Sequence, residues 1–310
     1  MNVSLDPTLD RRRFLAALST ATAAAINPAM ATAEDPNDSA TKHKICVFTK
    51  PFNSLSFDQL ADRIAELGFD GIEAPIRAGG HVEPEQVEDG LPALHDALQK
   101  RGLEITVMAS DINDPDDPLT HRVLRTAATL GIRRYRMKYF KYDLDQSVIE
   151  QIREWQPRAR DLAAVNHDYG VQGLYQNHAG RNYCGAALWD LHALLEGISP
   201  SDLGVAYDIR HATVEGGTSW PATFNMICPK IQTVYVKDFV WGQQPQPVNV
   251  PLGEGRVDPK FGALLQQSEF SGPISLHEEY LDHREPELVP KHLAAIKQDL
   301  ETLRSWLAGS

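Results

Sequence analysis

The sequence has few cysteines, no apolar run strong enough to hold a bilayer span, and more acidic than basic side chains. Its three cysteines are scattered and include no C-x-x-C pair, so neither a disulfide framework nor a cysteine-based zinc site is indicated. The net charge of −12 excludes a nucleic acid as the expected partner, because a phosphate backbone needs a basic surface. A hydrophobic content of 42% is that of a globular protein with a full core.

The N-terminal segment matches an export signal. Arg11-Arg12-Arg13-Phe14-Leu15 leads into an alanine-rich apolar run that ends at Ala31-Thr32-Ala33. The charged start, short apolar centre and A-x-A end are typical of a twin-arginine signal peptide. We expect residues 1–33 to be removed, residues 34–43 to form a linker, and the mature protein to be periplasmic or secreted, without membrane contact after cleavage. An amphipathic helix is the alternative for the same segment.

Short β-rich runs alternate with longer helical patterns over residues 44–310, which is typical of a parallel sheet with crossover helices. Eight strands are predicted, at residues 45–49, 71–74, 103–109, 135–139, 172–177, 204–208, 233–238 and 274–280. No Gly-rich phosphate fingerprint follows the first strand and no linker divides the chain, which disfavours two doubly wound domains. The sequence therefore predicts a single-domain α/β protein, a (β/α)8 TIM barrel closed by a helix over residues 290–307.

Polar side chains are concentrated at the C-terminal ends of the predicted strands, where barrels of this kind carry their active sites. Burying such groups costs several kcal/mol unless they are paired or bind a ligand, so a polar ligand or a metal is implied. The catalytic candidates are Glu73, His211, Lys237 and Glu279. The candidates for substrate binding are Arg136, Lys138, His178 and Trp241.

Strand alternation helps to rank these residues. On the eighth strand Ser275, His277 and Glu279 share one face, whereas Glu278 is on the other, so Glu279 is the better inward candidate.

Other assignments stay open. Asp208 and His211, three residues apart beyond a strand, could converge on one cation, or Asp208 could simply cap a helix. His178 could be a structural loop histidine, and Lys237 could form a rim salt bridge with Asp238.

Six segments, taken in order, resemble the xylose isomerase-like barrel superfamily, often called the sugar phosphate isomerase/epimerase family. They are GFDGIE at 68–73, YQNH at 175–178, YDIRH at 207–211, VKD at 236–238, PLGEG at 251–255 and SLHEEY at 275–280. The similarity extends over nearly all of residues 44–310, and it is more specific for the superfamily than for one reaction.

The resemblance implies a divalent metal, Mn, Mg, Co or Zn. The superfamily's ligand positions carry Glu, Asp, His and Glu; here they fall on Gln176, Asp208, Tyr235 and Glu279, with His211 as a further ligand. Two positions therefore depart from the pattern. Since an amide cannot act as a base, proton abstraction would fall to Glu279, Glu73, His211 or Lys237.

The expected function is that of an exported isomerase, epimerase or lyase that removes a proton next to the carbonyl of a small carbohydrate or keto-sugar. A homo-oligomer is left open. Two alternatives are a sugar-binding barrel that has lost turnover, which the changes at Gln176 and Tyr235 suggest, and a metal-dependent glycoside hydrolase.

Overall fold

Eight parallel strands close into a barrel in the computed structural model, which describes residues 43–244 and 246–309. Together with two strands outside the barrel, β8 and β9, the described strands are β1 (Ile45–Phe48), β2 (Gly71–Ile76), β3 (Glu104–Ser110), β4 (Arg134–Arg136), β5 (Gln172–Gln176), β6 (Leu203–Asp208), β7 (Ile231–Val236), β8 (Asp238–Trp241), β9 (Pro247–Val250) and β10 (Ile274–Leu276). The barrel runs from β1 to β7 in sequence order, and β10 pairs with both β7 and β1. This confirms the predicted (β/α)8 barrel.

Helices connect the strands on the outside of the barrel. They are α1 (Phe57–Leu67), α2 (Val87–Gln99), α3 (Pro118–Thr129), α4 (Val148–Tyr169), α5 (Trp189–Leu194), α6 (Ile209–Gly216), α7 (Trp220–Ile227), α8 (Lys260–Gln267) and α9 (Val289–Ala308). Helix α1 begins with a capping box, because the side chains of Ser56 and Gln59 accept each other's backbone N–H groups, and Gly68 ends the helix with a φ of 77°. Strands β8 and β9 form an antiparallel hairpin outside the barrel.

All eight predicted barrel strands are present, but two are shorter than predicted by more than one residue. Pairing in β4 ends at Arg136 and in β10 at Leu276, although the next residues keep one ladder bond each. Met137 donates its N–H to the Leu174 carbonyl at 2.9 Å, and His277 donates to the Val236 carbonyl at 2.9 Å. The residues directly after β4 and β10 therefore still follow the barrel wall for one more hydrogen bond before the chain leaves the sheet.

The hydrophobic core lies mostly between the strands and the helices. A second, small apolar cluster fills the barrel interior and consists of Val107, Leu174, Ala206 and Tyr235. Above it, the buried inward side chains are charged or polar. The fold thus closes the barrel with apolar side chains and leaves a polar upper interior.

The predicted signal peptide and most of the predicted linker lie outside the described residues. Within the part of the chain that the structure describes, none of the helices is both long enough and apolar enough to cross a membrane.

Candidate active site

A buried carboxylate, Glu73 on β2, is the centre of the first polar cluster, which we call the Glu73 network. Its Oε2 accepts hydrogen bonds from Ser275 Oγ and His277 Nε2, both at 2.8 Å. Its Oε1 is 3.4 Å from Arg136 Nε. Burial opposes the charge of Glu73, but His277, Arg136 and Ser275 outweigh it and lower the pKa, so Glu73 is a carboxylate.

A buried ammonium is the centre of the second cluster, the Lys237 network. Lys237 follows β7, and its Nζ lies 2.7 Å from Glu279 Oε2 and 3.2 Å from Asp208 Oδ2. Gln176 Nε2 also donates to Asp208 Oδ2, at 2.8 Å. The Asp208 carboxylate is completely buried, whereas the Glu279 side chain is 26% exposed and faces the barrel mouth.

The electrostatics of the Lys237 network keep Lys237 and Glu279 charged. Burial disfavours the ammonium of Lys237, but Asp208 and Glu279 raise its pKa. Burial likewise disfavours ionisation of Glu279, yet Lys237 and His277 hold the pKa of this carboxyl well below its usual range. A lysine acts as a base only when its pKa is lowered, so the expectation that Lys237 could serve as a base is not supported.

Tyr139 and Arg136 connect the two networks. Arg136 Nη1 donates to the Tyr139 hydroxyl at 2.9 Å, and that hydroxyl donates to Gln176 Oε1. The amide oxygen of Gln176 is therefore already used, and its amide nitrogen faces Asp208. Removing either end of this chain would leave buried polar groups without partners.

His211 lies on α6 and is buried beside the Lys237 network. Its Nε2 is 3.5 Å from Asp208 Oδ2 and has no hydrogen-bond partner among the described residues. Burial, with the charge of Lys237, lowers the pKa of His211 well below its usual value, so the ring is neutral. Arg210 Nη1 is 3.0 Å from Nδ1, and because a guanidinium only donates, Nδ1 accepts and the proton is on Nε2.

Asp208 caps a helix, one of the two roles that the sequence left open. Its Oδ1 accepts the backbone N–H of His211 at 3.1 Å and so caps α6. Its Oδ2 faces Lys237 and Gln176.

The suggested rim salt bridge between Lys237 and Asp238 is wrong. Both oxygens of Asp238 instead accept backbone N–H groups of the loop after β9, including Gly253 at 3.1 Å and Gly255 at 3.0 Å. A Cβ on Gly255 would lie 2.1 Å from Asp238 Oδ1, so this position requires glycine. The PLGEG segment is therefore a loop held by a carboxylate.

Of the three other candidates for substrate binding, only His178 lies beside the Lys237 network, and Lys138 and Trp241 do not. His178 is half-buried, stacks on His211 at 4.1 Å between ring centroids, and has its pKa lowered by burial to about 4. Lys138 is exposed, since the chain turns away after β4, and it joins neither network. Trp241 is 46% exposed on β8, where its ring packs edge-on against Phe239, and it contacts neither network.

The alternation predicted for the eighth strand is confirmed. Ser275, His277 and Glu279 face the barrel interior, where they contact the two networks. Glu278 points outward to α9 and bonds His292.

The residues at the metal positions do not fit a divalent cation. Gln176 presents an amide N–H group to Asp208, Tyr235 is a buried phenol whose pKa is raised well above its usual value by burial, and the two carboxylates share the ammonium of Lys237. A dication beside Lys237 would be repelled by it. Among the described residues, His, Cys, Asp and Glu side chains nowhere form a group of three that could hold a metal. The Nε2 atom of His211 would add only one ligand atom beside Asp208, which is too few to hold a metal ion.

Sequence reasoning missed three side chains near the site: Tyr139, Lys50 and Arg77. Tyr139 was assigned to a strand end but not to the site. Lys50 and Arg77 directly follow β1 and β2, so their position was the signal that could have identified them.

Comparison with known proteins agrees with the fold. The sequence profile of the xylose isomerase-like TIM barrel family matches residues 61–306. No curated protein matches the sequence.

Three solved structures are similar in fold. The apo 3-keto-D-glucoside 4-epimerase YcjR of E. coli has a TM-score of 0.64 at 16% identity, over 85% of this chain and 99% of that one. The D-psicose 3-epimerase of Clostridium cellulolyticum H10 with D-tagatose has a TM-score of 0.64 at 12% identity, over 85% and 99%. The probable 3-DHS dehydratase AsbF of Bacillus anthracis has a TM-score of 0.59 at 16% identity, over 84% and 98%.

Proposed function

Because the chain belongs to the xylose isomerase-like TIM barrel family, we propose that it is an enzyme that removes a proton next to the carbonyl of a small keto-sugar, leading to isomerisation, epimerisation or loss of water. Two epimerases and a dehydratase are among the solved structures of similar fold, and these reactions share that first step. At the identities given above, such similarity supports the fold alone, so the proposal rests on the site.

The observation that carries the proposal is the Lys237 network at the barrel mouth. It pairs a partly exposed carboxylate, Glu279, with a buried ammonium 2.7 Å away. A carboxylate beside a fixed positive charge is the combination that proton abstraction next to a carbonyl requires, because negative charge moves from the base to the carbonyl oxygen during the reaction.

In this proposal Glu279 is the base. Its carboxylate is ionised and open to the mouth of the barrel. Its low pKa makes it a weak base while Lys237 contacts it, so we propose that the ammonium moves toward the substrate oxygen on binding and thereby raises the basicity of Glu279.

Lys237 and His211 would stabilise the charge on the substrate oxygen. Lys237 has three N–H donors, of which Glu279 and Asp208 face two. The neutral ring of His211 has an N–H at Nε2 that no described residue uses. His211 is held in place before substrate arrives, which is the condition for effective electrostatic stabilisation, and Lys237 would stay bound to Asp208 while it turns from Glu279 to the substrate oxygen.

The proposal predicts exchange of carbon-bound protons with solvent. Incubating the purified protein with D-fructose, D-tagatose and other keto-sugars in deuterium oxide should place deuterium next to the carbonyl, because Glu279 shares its captured proton with solvent. The measurement is proton NMR of the recovered sugar. The absence of exchange across a broad panel, with and without Mn²⁺ or Mg²⁺, would contradict it.

Two alternative functions are tested by the same measurements. The pairing of Glu279 and Asp208 with Lys237 is also compatible with the first of them, a barrel that binds a sugar without turnover. If calorimetry detects sugar binding while NMR detects no exchange, the protein is a sugar-binding barrel and the enzymatic proposal fails. Release of a free sugar from glycosides would instead favour the hydrolase.

We also propose export through the twin-arginine route, on the N-terminal pattern of residues 1–33. Replacing Arg11 and Arg12 with lysine should retain the protein in the cytoplasm, because that pathway recognises the arginine pair. Cell fractionation checks this, and N-terminal sequencing of the exported form checks cleavage after Ala33. An unprocessed, cytoplasmic wild-type protein would exclude export.

A further inference from the structure

A cavity of about 620 Å³ opens at the C-terminal end of the barrel strands, the end that also carries the Lys237 network. Loops that follow β1, β2, β3 and β10 form its walls. The side chains that matter for its charge are Lys50, Arg77, Asp111, His283 and Arg284. The fold places this cavity on the catalytic face, where a bound sugar would extend beyond the two networks.

Two of these cations form no ion pair with any described residue. Lys50 and Arg77 are half-buried, and in the part of the chain that the structure describes neither lies within ion-pair distance of a carboxylate. By contrast Arg284 is 2.6 Å from Asp282, and its charge is therefore compensated. Asp111 is the acidic residue of the cavity wall, but it is exposed and does not reach Arg77.

Both cations lie near other cations as well as near carboxylates. Burial lowers the pKa of Lys50; among the neighbouring charges Glu279 acts most strongly and raises it, whereas Arg77, Lys237 and Arg136 lower it. Burial and Arg136 also lower the pKa of Arg77, opposed by Asp111 and Glu73. Partly desolvated cations that repel each other are costly to keep, and an anion bound between them would compensate them.

The cavity adjoins the reaction centre. Lys50 acts electrostatically on Glu279, the proposed base, and Arg77 on Glu73 and Arg136. The guanidinium of Arg77 also lies over the ring of Phe48, with 5.8 Å from Cζ to the ring centroid, which limits where its donors can point. A group held here would belong to the same molecule whose carbonyl lies near Lys237.

We propose that Lys50 and Arg77 bind an anionic group of the substrate, so that the substrate is a keto-sugar carrying a carboxylate or a phosphate. This inference rests on the proposed function, since it extends the same site. The planar fork of Arg77 suits the oxygen pair of either anion, while Lys50 supplies a point charge. A neutral sugar would leave both cations uncompensated.

Calorimetry with three matched ketoses tests the proposal: D-fructose, D-fructose 6-phosphate and 5-keto-D-gluconate. The wild type should bind at least one anionic ketose about 10- to 100-fold more tightly than D-fructose. The double variant Lys50→Met/Arg77→Met should lose this preference and keep its affinity for D-fructose. The affinities for D-fructose 6-phosphate and 5-keto-D-gluconate show whether the cavity prefers a phosphate or a carboxylate. Titration with inorganic phosphate tests binding of the anion in the cavity without the sugar.

The matched control is Lys44→Met, which removes a lysine at the opposite end of the barrel, where it pairs with Glu104. It should bind all three ketoses as the wild type does. The double variant should melt no lower than the wild type, because it removes two half-buried charges that form no ion pair with a described residue.

Equal affinity of the wild type for all three ketoses would overturn the subsite. So would a double variant that melts at the wild-type temperature and still prefers the anions. Because binding is measured without turnover, a preference for anions in a protein that exchanges no protons would refute the enzymatic proposal and leave the subsite standing. Proton exchange in a protein that binds all three ketoses equally would refute the subsite and leave the enzymatic proposal standing.

Discussion

Replacing Lys237 with methionine is expected to lower the rate of proton exchange by about 10²- to 10³-fold, the cost of removing one preorganised donor from a developing negative charge. Methionine keeps the length and apolar stem of the side chain but has no charge. The rate of deuterium incorporation into the best ketose measures the loss. Lys44→Met is the matched control and should exchange at the wild-type rate, because its ammonium lies at the other end of the barrel.

The same variant tests whether an ammonium or a metal is the cation of this site. In the wild type, Asp208 and Glu279 are compensated by Lys237, so EDTA should not lower the exchange rate and Mn²⁺ should not raise the melting temperature. In Lys237→Met both carboxylates lack a cation, which should cost about 3 to 5 kcal/mol of unfolding free energy. Added Mn²⁺ should recover part of this loss. A wild type that EDTA inactivates and Mn²⁺ restores would contradict the assignment.

The fold was predictable because its signal is periodic. Alternating β and helical segments, together with polar residues at the ends of the strands, identified all eight barrel strands and the closing helix. The strand ends were less predictable, as β4 and β10 show, because pairing stops where the neighbouring strand diverges rather than at a residue of special type.

The sequence predicted which residues belong to the site, but not which of them contact each other. Asp208, Lys237 and Glu279 were identified because each follows a strand, and strand position alone fixes the end of the barrel at which they lie. Which side chain contacts which depends on side-chain direction just beyond the strand. Sequence proximity suggested that Lys237 pairs with Asp238, yet consecutive residues point to opposite sides, and Asp238 binds a loop instead.

The prediction of a metal came from the family resemblance, whereas in the structure the cation beside Asp208 and Glu279 is the ammonium of Lys237. Gln176 was identified as a departure from the superfamily pattern, but its consequence needed coordinates: Tyr139 uses its oxygen, so its nitrogen faces Asp208. No pattern in the sequence relates Tyr139 to Gln176, which are 37 residues apart. The ammonium at the centre of the site follows from these contacts.

Replacing Glu279 with glutamine should have the largest effect on catalysis, a loss of about 10²- to 10⁴-fold in exchange, because it removes the proposed base. The fold should be retained, since the amide oxygen can still accept from Lys237, and Lys237 keeps Asp208 as its counter-charge. Glu254→Gln, an exposed carboxylate on the loop after β9, is the matched control. Exchange in Glu279→Gln at the wild-type rate would assign the base elsewhere, with Glu73 as the next carboxylate to replace.

The pH dependence of the wild type and of Lys237→Met distinguishes a base from a structural carboxylate. Lys237 holds the pKa of Glu279 well below its usual range, so Glu279 stays ionised as the pH falls, and the free enzyme should keep its kcat/KM at pH values below the usual pKa of a glutamate. Removing the ammonium should raise the pKa of Glu279, because burial then acts unopposed by its nearest cation. The acid limb of the variant should therefore move to higher pH. An acid limb that does not move would mean that Glu279 is not the group whose ionisation controls exchange.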